Sequence, residues 1–226
     1  RETQAAFSPD GNQMAFVWSG EKGDNSDIYV KLIGAGQPLR LTTHTAADTH
    51  PVWSPDGRYI AFFRQAAEGC GFYLIPALGG TERKVAEVYP YRDPFPGNSQ
   101  YYSNDGKFLA VADKNTQEEP LSIYLISIET GEKRKLTAPS AGVSGDSYPA
   151  FAPDGKTLAF VRSSSRATTD LYLLRLDGGE PRRLTFDNTS IQGLAWTSDG
   201  REIVFSSRRG GSIFSLWRIP AAGGAP

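Results

Sequence analysis

His44 and His50 stand six residues apart with Asp48 between them. Imidazole and carboxylate are zinc donors, but a zinc centre needs a third ligand and a fixed loop. The chain has no other histidine, so the pair reads better as solvated loop residues, one of them packing against Trp53. Asp24-Asn25-Ser26-Asp27 offers the oxygens of a calcium loop without the Gly and terminal Glu of an EF-hand. It reads as an exposed polar turn. A serine hydrolase needs Gly-x-Ser-x-Gly at a strand-to-helix turn. The nearest strings, Gly97-Asn98-Ser99-Gln100-Tyr101 and Gly142-Val143-Ser144-Gly145, complete neither motif nor context. No Gly-rich loop opens a helix onto a phosphate. Cys70 is the only cysteine, so no intrachain disulfide forms. The reading assigns no catalytic residue, no metal ligand and no cofactor site.

The elements that would position any site come from one repeated stretch. Phe7-Ser8-Pro9-Asp10-Gly11 returns as Trp53-Ser54-Pro55-Asp56-Gly57 and Tyr102-Ser103-Asn104-Asp105-Gly106. It returns again as Phe151-Ala152-Pro153-Asp154-Gly155 and Trp196-Thr197-Ser198-Asp199-Gly200. The aspartates are 46, 49, 49 and 45 residues apart, a period that marks a copied supersecondary unit. Proline sets the first central turn position, aspartate bonds its own backbone, and glycine takes the left-handed conformation. The preceding aromatic is expected to pack between neighbouring repeats.

Each repeat reads as four strands. An apolar second strand follows the turn, centred on Met14-Ala15-Phe16, Ile60-Ala61-Phe62, Leu109-Ala110-Val111, Leu158-Ala159-Phe160 and Ile203-Val204-Phe205. Apolar residues on both faces predict burial on both sides. The small central residue predicts close approach of a neighbouring sheet. A third strand follows, such as Ile28-Tyr29-Val30-Lys31-Leu32, always with an aromatic second. A Gly-rich turn then leads to a short basic strand, such as Leu39-Arg40-Leu41-Thr42 or Arg182-Arg183-Leu184-Thr185, with Arg83-Lys84-Val85 the weaker second copy. The basic residues read as protection of an exposed edge. The fifth repeat stops at Gly223-Gly224-Ala225-Pro226, before a fourth strand.

Repeats of this length predict an all-β fold, a β-propeller of four-stranded antiparallel blades. Five are visible in one domain, 1–226, divided near 4–45, 46–91, 92–145, 146–189 and 190–226. The missing fourth strand leads us to expect a six-bladed or larger ring with further chain. Arg1-Glu2-Thr3 enters a repeat almost at once, so a leader or another domain is expected upstream.

Basic and acidic residues nearly cancel, 24 against 25, so no phosphate backbone is expected as partner. No run approaches the length of a membrane span.

Ser54-Pro55-Asp56-Gly57, Ile60-Ala61-Phe62, Asp27-Ile28-Tyr29-Val30, Gly178-Gly179 and Leu184-Thr185 together resemble the TolB-like, WD40-like β-propeller pattern. The resemblance covers nearly the whole chain. It implies a bacterial, periplasmic or extracytoplasmic interaction module, a sensing or scaffolding part of a larger protein. It equally extends to the substrate-gating propeller of prolyl-oligopeptidase-like hydrolases, and fold alone does not choose.

A protein or peptide partner is expected on the end bearing the crossings between repeats and the loops joining second to third strands. The least repetitive segment, 86–100, supplies Tyr89, Tyr91, Arg92 and Phe95 as anchors, since Tyr and Arg are enriched in interfaces. The competing reading is that these aromatics cover strand ends. Arg64 and Arg162, just past second strands, are expected to bond a partner's carboxylates, with His44 and His50 as further contacts.

Overall fold

The computed structural model describes residues 2–21, 23, 25–90, 101–165 and 168–225. Among them every regular element is a strand. Blade one is β1 (Glu2–Phe7), β2 (Gln13–Trp18), β3 (Asp27–Leu32) and β4 (Leu39–Arg40). Blade two is β5 (Ala47–Trp53), β6 (Tyr59–Ala66), β7 (Gly69–Pro76) and β8 (Arg83–Val88). Blade three is β9 (Tyr101–Tyr102), β10 (Phe108–Asp113), β11 (Ser122–Ser127) and β12 (Lys133–Lys135). Blade four is β13 (Gly145–Phe151), β14 (Thr157–Ser165), β15 (Thr168–Arg175) and β16 (Arg182–Arg183). Blade five has β17 (Ile191–Trp196), β18 (Glu202–Ser207) and β19 (Ser215–Pro220). Strands join in chain order within each antiparallel sheet; four sheets have four strands and the fifth has three.

Contacts divide the chain into two compact units. The first holds blades one and two with 106–108 and 126–133 of blade three; the second holds the rest of blade three and blades four and five. In the first unit, Ala15, Val17, Ile28, Val30 and Leu41 of blade one pack against Trp53, Ile60, Phe62, Ile75 and Ala77 of blade two. In the second, Ala159, Val161, Leu171, Leu173 and Leu184 meet Ile191, Leu194, Ile203, Phe205 and Ile219. The small central residues Ala15, Ala61, Ala110 and Ala159 are wholly buried, as close sheet approach requires. Phe16, Phe62 and Phe160 stack on Tyr29, Tyr73 and Tyr172 across the second and third strands.

The turns form as read. Gly11, Gly57, Gly106, Gly155 and Gly200 have φ of +67° to +72°. The Asp10, Asp56 and Asp199 carboxylates each accept a side-chain hydroxyl, from Ser8, Ser54 and Thr197, at 2.6 Å. These bonds favour the carboxylate form, so all three sit below the ordinary aspartate range. The aromatic ahead of the turn reaches back to the preceding blade. The indole nitrogens of Trp53 and Trp196 donate to the Ala6 and Ala150 carbonyls at 3.0 Å. Phe7 departs from the expected packing and is exposed.

One copy of the fourth strand departs from the reading. Arg83-Lys84-Val85 begins the longest of them, six residues in β8. In blades one and four, Thr42 and Thr185 accept the Ile28 and Leu171 N–H groups and donate to Asp27 and Asp170. The hydroxyl replaces the next ladder bond and ends the strand. Blade two has Ala86 for the threonine and Gly71 for the aspartate, so the ladder runs on to Cys70 opposite Val88. The basic residues of this edge strand are also bonded within the chain. Arg40 and Arg183 pair with Asp27 and Asp170 at 2.5 and 2.6 Å. Arg83 and Arg182 donate to the Ile128 and Ala221 carbonyls of the following blades.

Trp53 is almost fully buried, and Trp53→Ala should lower the free energy of unfolding by roughly 3–5 kcal/mol. Trp196, half-buried, should cost less; a denaturation midpoint for Trp53→Ala equal to wild type would refute the packing role. A Cβ at Gly71 would lie 2.7 Å from the Ala86 carbonyl oxygen. Gly71→Ala should therefore cost about 1–3 kcal/mol by overpacking, whereas Gly11→Ala meets no neighbour and tests only the left-handed turn.

Candidate functional site

The first strand of a blade carries a bulge. Register shifts fall between Thr3 and Ala6, Thr49 and Val52, Ser147 and Ala150, and Gln192 and Leu194. The residue three places before the turn aromatic takes a positive φ: Gln4 at 53°, His50 at 57°, Tyr148 at 51° and Gly193 at 75°. The matching residue of blade three, Ser99, lies outside the described residues. A non-glycine residue in this region is held there by its surroundings at a cost of about 1–3 kcal/mol, and such strain clusters at functional positions.

In the first unit two bulges bond each other. The Gln4 side-chain oxygen Oε1 accepts the His50 backbone N–H at 2.9 Å. That bond fixes the Gln4 amide, whose nitrogen then donates to His50 Nε2 at 2.8 Å. Nε2 is therefore an acceptor, Nδ1 carries the proton, and Nδ1–H donates to Thr49 Oγ1 at 2.9 Å. Burial favours this neutral ring and lowers the His50 pKa to about 4. Both ring nitrogens are engaged, so His50 positions backbone and side chain here. His44, expected beside it as a loop residue, is half-buried; its Nδ1 accepts the Ala46 N–H at 3.0 Å. Among the described residues no three of His, Cys, Asp and Glu group as a metal ion would require.

Beside the blade-two bulge lies a buried ion pair. Arg64 makes a two-pronged contact with Asp48 at 2.6 and 2.8 Å and reaches Glu82 as well. Its guanidinium lies 4.6 Å from the Tyr73 ring centre. Burial opposes both charges. It raises Asp48 above the usual carboxylate range despite Arg64, while the Asp48 and Glu82 bonds overcome it at Arg64 and hold the cation. In the second unit Arg162 binds Asp146 in the same way, at 2.7 and 2.9 Å, over Phe160 and Tyr172. The Tyr101 hydroxyl donates to the Leu194 carbonyl at 3.3 Å. Burial raises the Tyr101 and Tyr148 phenols.

The carboxylates expected for Arg64 and Arg162 on a partner are thus, in the structure, Asp48, Glu82 and Asp146 of the same chain. Arg64 is 2% exposed, so its charge serves the inside of the blade. Tyr89 is half-buried and follows β8 directly. Tyr91, Arg92 and Phe95 lie outside the described residues. The crossings and the second-to-third loops do share an end: Asp48 N–H donates to Ser26 O, and Asp146 N–H to Leu121 O, both at 2.8 Å. Ser144 donates its N–H to the Ser163 carbonyl and leads into a strand, so it forms no nucleophile elbow.

Sequence reasoning missed the bulge residues Gln4 and Tyr148 and the partners Asp48 and Asp146. A signal for the latter was present: Asp48/Arg64 and Asp146/Arg162 share a spacing of sixteen. Also missed was a cavity of about 460 Å³ in the second unit, at the turn end between blades four and five. It is lined by Trp196, Asp154, Asp199, Glu180, Arg175 and Arg182 among others.

The chain is 32% identical over 170 residues to the uncharacterized peptidase YuxL of Bacillus subtilis, covering 75% of this chain and 23% of that protein. It is 27% identical over 151 residues to a TolB homolog of Chlorobium chlorochromatii, covering 67% of this chain and 31% of that protein. The chain thus spans less than a third of the length of either relative. The solved TolB of Acinetobacter baumannii has the same fold, with a TM-score of 0.71 at 18% identity over 98% of this chain and 50% of that one. The family model described as the TolB beta propeller domain matches residues 2–119 and 96–226. The chain belongs to the TolB beta propeller domain family.

Proposed function

We propose that this chain is a non-catalytic binding module for a protein or peptide, the sensing or scaffolding part of a larger bacterial protein. The observation that carries the reading is the set of strained, non-glycine bulges at Gln4, His50 and Tyr148 in a frame otherwise built of repeated turns and ladders. Such strain persists only where the surrounding structure over-determines it. No catalytic motif accompanies it among the described residues. The partner engages the end where crossings and second-to-third loops meet, with Tyr89, Tyr91, Arg92 and Phe95 as anchors. A periplasmic or otherwise extracytoplasmic location belongs to the proposal and rests on likeness to TolB.

The likeness to YuxL is compatible with a second reading, a propeller that gates substrate for a hydrolase domain elsewhere in the parent protein. The parent gene separates the two: a downstream Gly-x-Ser-x-Gly domain supports gating. A helix-turn-helix, kinase domain or secretion signal upstream supports the binding module.

A photo-crosslinker placed at Tyr89 should capture the partner from native extract, and one placed at Asp199 in the opposite turns should not. Alanine at the true anchors should then weaken binding by about 1 kcal/mol or more. Unchanged affinity there, with loss of binding on substitution in the Pro-Asp-Gly turns of a folded chain, would sink the proposal.

His50 makes the bulge pH-sensitive. The unfolded chain protonates this ring near the ordinary 6.5 and the folded chain only near 4. Between those values the unfolded state binds more protons, so stability falls as pH drops through the window. The loss is on the order of 2–3 kcal/mol. Thermal midpoints measured from pH 7 to pH 4.5 should fall more steeply for wild type than for His50→Gln; parallel curves would show that the ring is not held neutral.

A further inference from the structure

Blades four and five enclose a cavity of about 460 Å³ at the turn end. That volume suits a small molecule, whose sites are mostly apolar with a few placed polar groups. The floor is apolar: Ala152 and Leu173 of blade four, and the half-buried Trp196 of blade five. The Trp196 ring is fixed, because its Nε1 donates to the Ala150 carbonyl. The two blades touch twice around the space. A Cβ at Gly200 would lie 3.5 Å from Pro153 Cδ, so the first turns of both blades abut. Arg182 Nη2 donates to the Ala221 carbonyl at 2.6 Å and makes the second bridge. Gly178 and Gly179 line the cavity too, and a Cβ at either would meet nothing within 4 Å, so the wall is low there.

Three carboxylates line this space, Asp154, Glu180 and Asp199, against two guanidinium groups, Arg175 and Arg182. Both guanidinium groups are engaged. Arg175 makes a two-pronged contact with Asp177, one arm at 3.0 Å, and Arg182 is held by Ala221. The Thr197 hydroxyl and the Arg201 N–H bond Asp199 and hold it below the ordinary aspartate range. The Lys156 N–H bonds Asp154, and Glu180 is exposed. The Arg201 side chain approaches Asp199 only to 3.9 Å and is 84% exposed, so it offsets that charge weakly. The field over the apolar floor is negative.

We propose that this cavity binds a small organic cation, an alkylguanidinium or alkylammonium. Its apolar body lies against Trp196 and Leu173, and its head lies among Asp154, Glu180 and Asp199. An aromatic ring beside carboxylates is the chemistry that recognises such cations. A neutral analogue keeps the apolar contact and loses the attraction. The site lies at the turn end and uses none of the proposed protein anchors, so it stands or falls separately from the binding-module reading.

The probe is n-butylguanidinium, titrated into the isotope-labelled chain while the Trp196 indole N–H resonance is followed. That resonance should shift with a midpoint at about millimolar concentration, as suits so small a ligand. n-Butylurea, neutral and of similar shape, should bind about fivefold more weakly. Glu180→Gln should weaken n-butylguanidinium about two- to fivefold, the scale of a partly exposed ion pair, while the thermal midpoint stays near wild type. A capped Gly-Arg-Gly peptide carries the same head on a polypeptide and should bind no better than the free cation. Four results would each overturn the proposal. They are no shift at Trp196, equal binding of n-butylurea, unchanged affinity in Glu180→Gln, or tighter binding of the peptide, which would make the cavity a pocket for a partner's arginine instead. Should Glu180→Gln unfold the chain, the n-butylurea comparison still decides.

Discussion

Blades one to four bury their third strand on both faces, and the backbone groups at the top of that strand must find partners without water. This constraint shapes more of the chain than the hydrophobic pattern does. Ile28, Ile123 and Leu171 sit at the place where the outer strand must leave for the next blade, and an N–H left bare there would cost about 1–3 kcal/mol. A threonine hydroxyl meets the need in blades one, three and four. The same hydroxyl donates to a buried aspartate in blades one and four, and that aspartate in turn binds the arginine two residues before the threonine. Backbone, hydroxyl, carboxylate and guanidinium form one chain of bonds. Blade two solves the problem differently, by continuing the ladder, and that solution requires Gly71.

The buried charges follow the same logic at the first strand. Arg64 and Asp48 are nearly inaccessible, and a buried ion pair recovers its desolvation cost only with good geometry and further bonds. Two-pronged contact, Glu82 and the faces of Phe62 and Tyr73 provide them. Such a pair adds little net stability over an apolar equivalent. Its partners lie on different strands, Asp48 on β5 and Arg64 on β6, so it resists a slip of one strand past the other. Blade five has Ile191 and Ser207 at the corresponding positions, which shows that the fold does not depend on the ion pair in every copy.

The frame was readable because it is repeated: turn, apolar triad, aromatic third strand and Gly-rich turn recur at matching intervals, and local residue types explain each. What escaped was set by contacts distant in sequence. The length of β8 depends on whether Gly71 and Ala86 are an Asp–Thr pair, and no local pattern in Arg83-Lys84-Val85 reveals that. Arg64 and Arg162 looked available because their position past a second strand says nothing of Asp48 and Asp146 across the sheet. The bulges were the least legible. Gly193 suits a positive φ, but Gln4, His50 and Tyr148 carry no residue-type mark of it, and only register against the turn aromatic aligns them.

The bulges also differ from the frame in what holds them. A turn glycine adopts its conformation at little cost and needs no outside support. His50 is held in a costly one by Gln4, and Gln4 belongs to blade one while His50 belongs to blade two. Those two bonds exist only while the two sheets remain packed through Ala15, Val17, Trp53 and Phe62. The orientation of the strained residue is therefore a consequence of packing between blades rather than of its own strand. A force or ligand that shifts one blade against the other must also release His50, its proton arrangement and its backbone strain together.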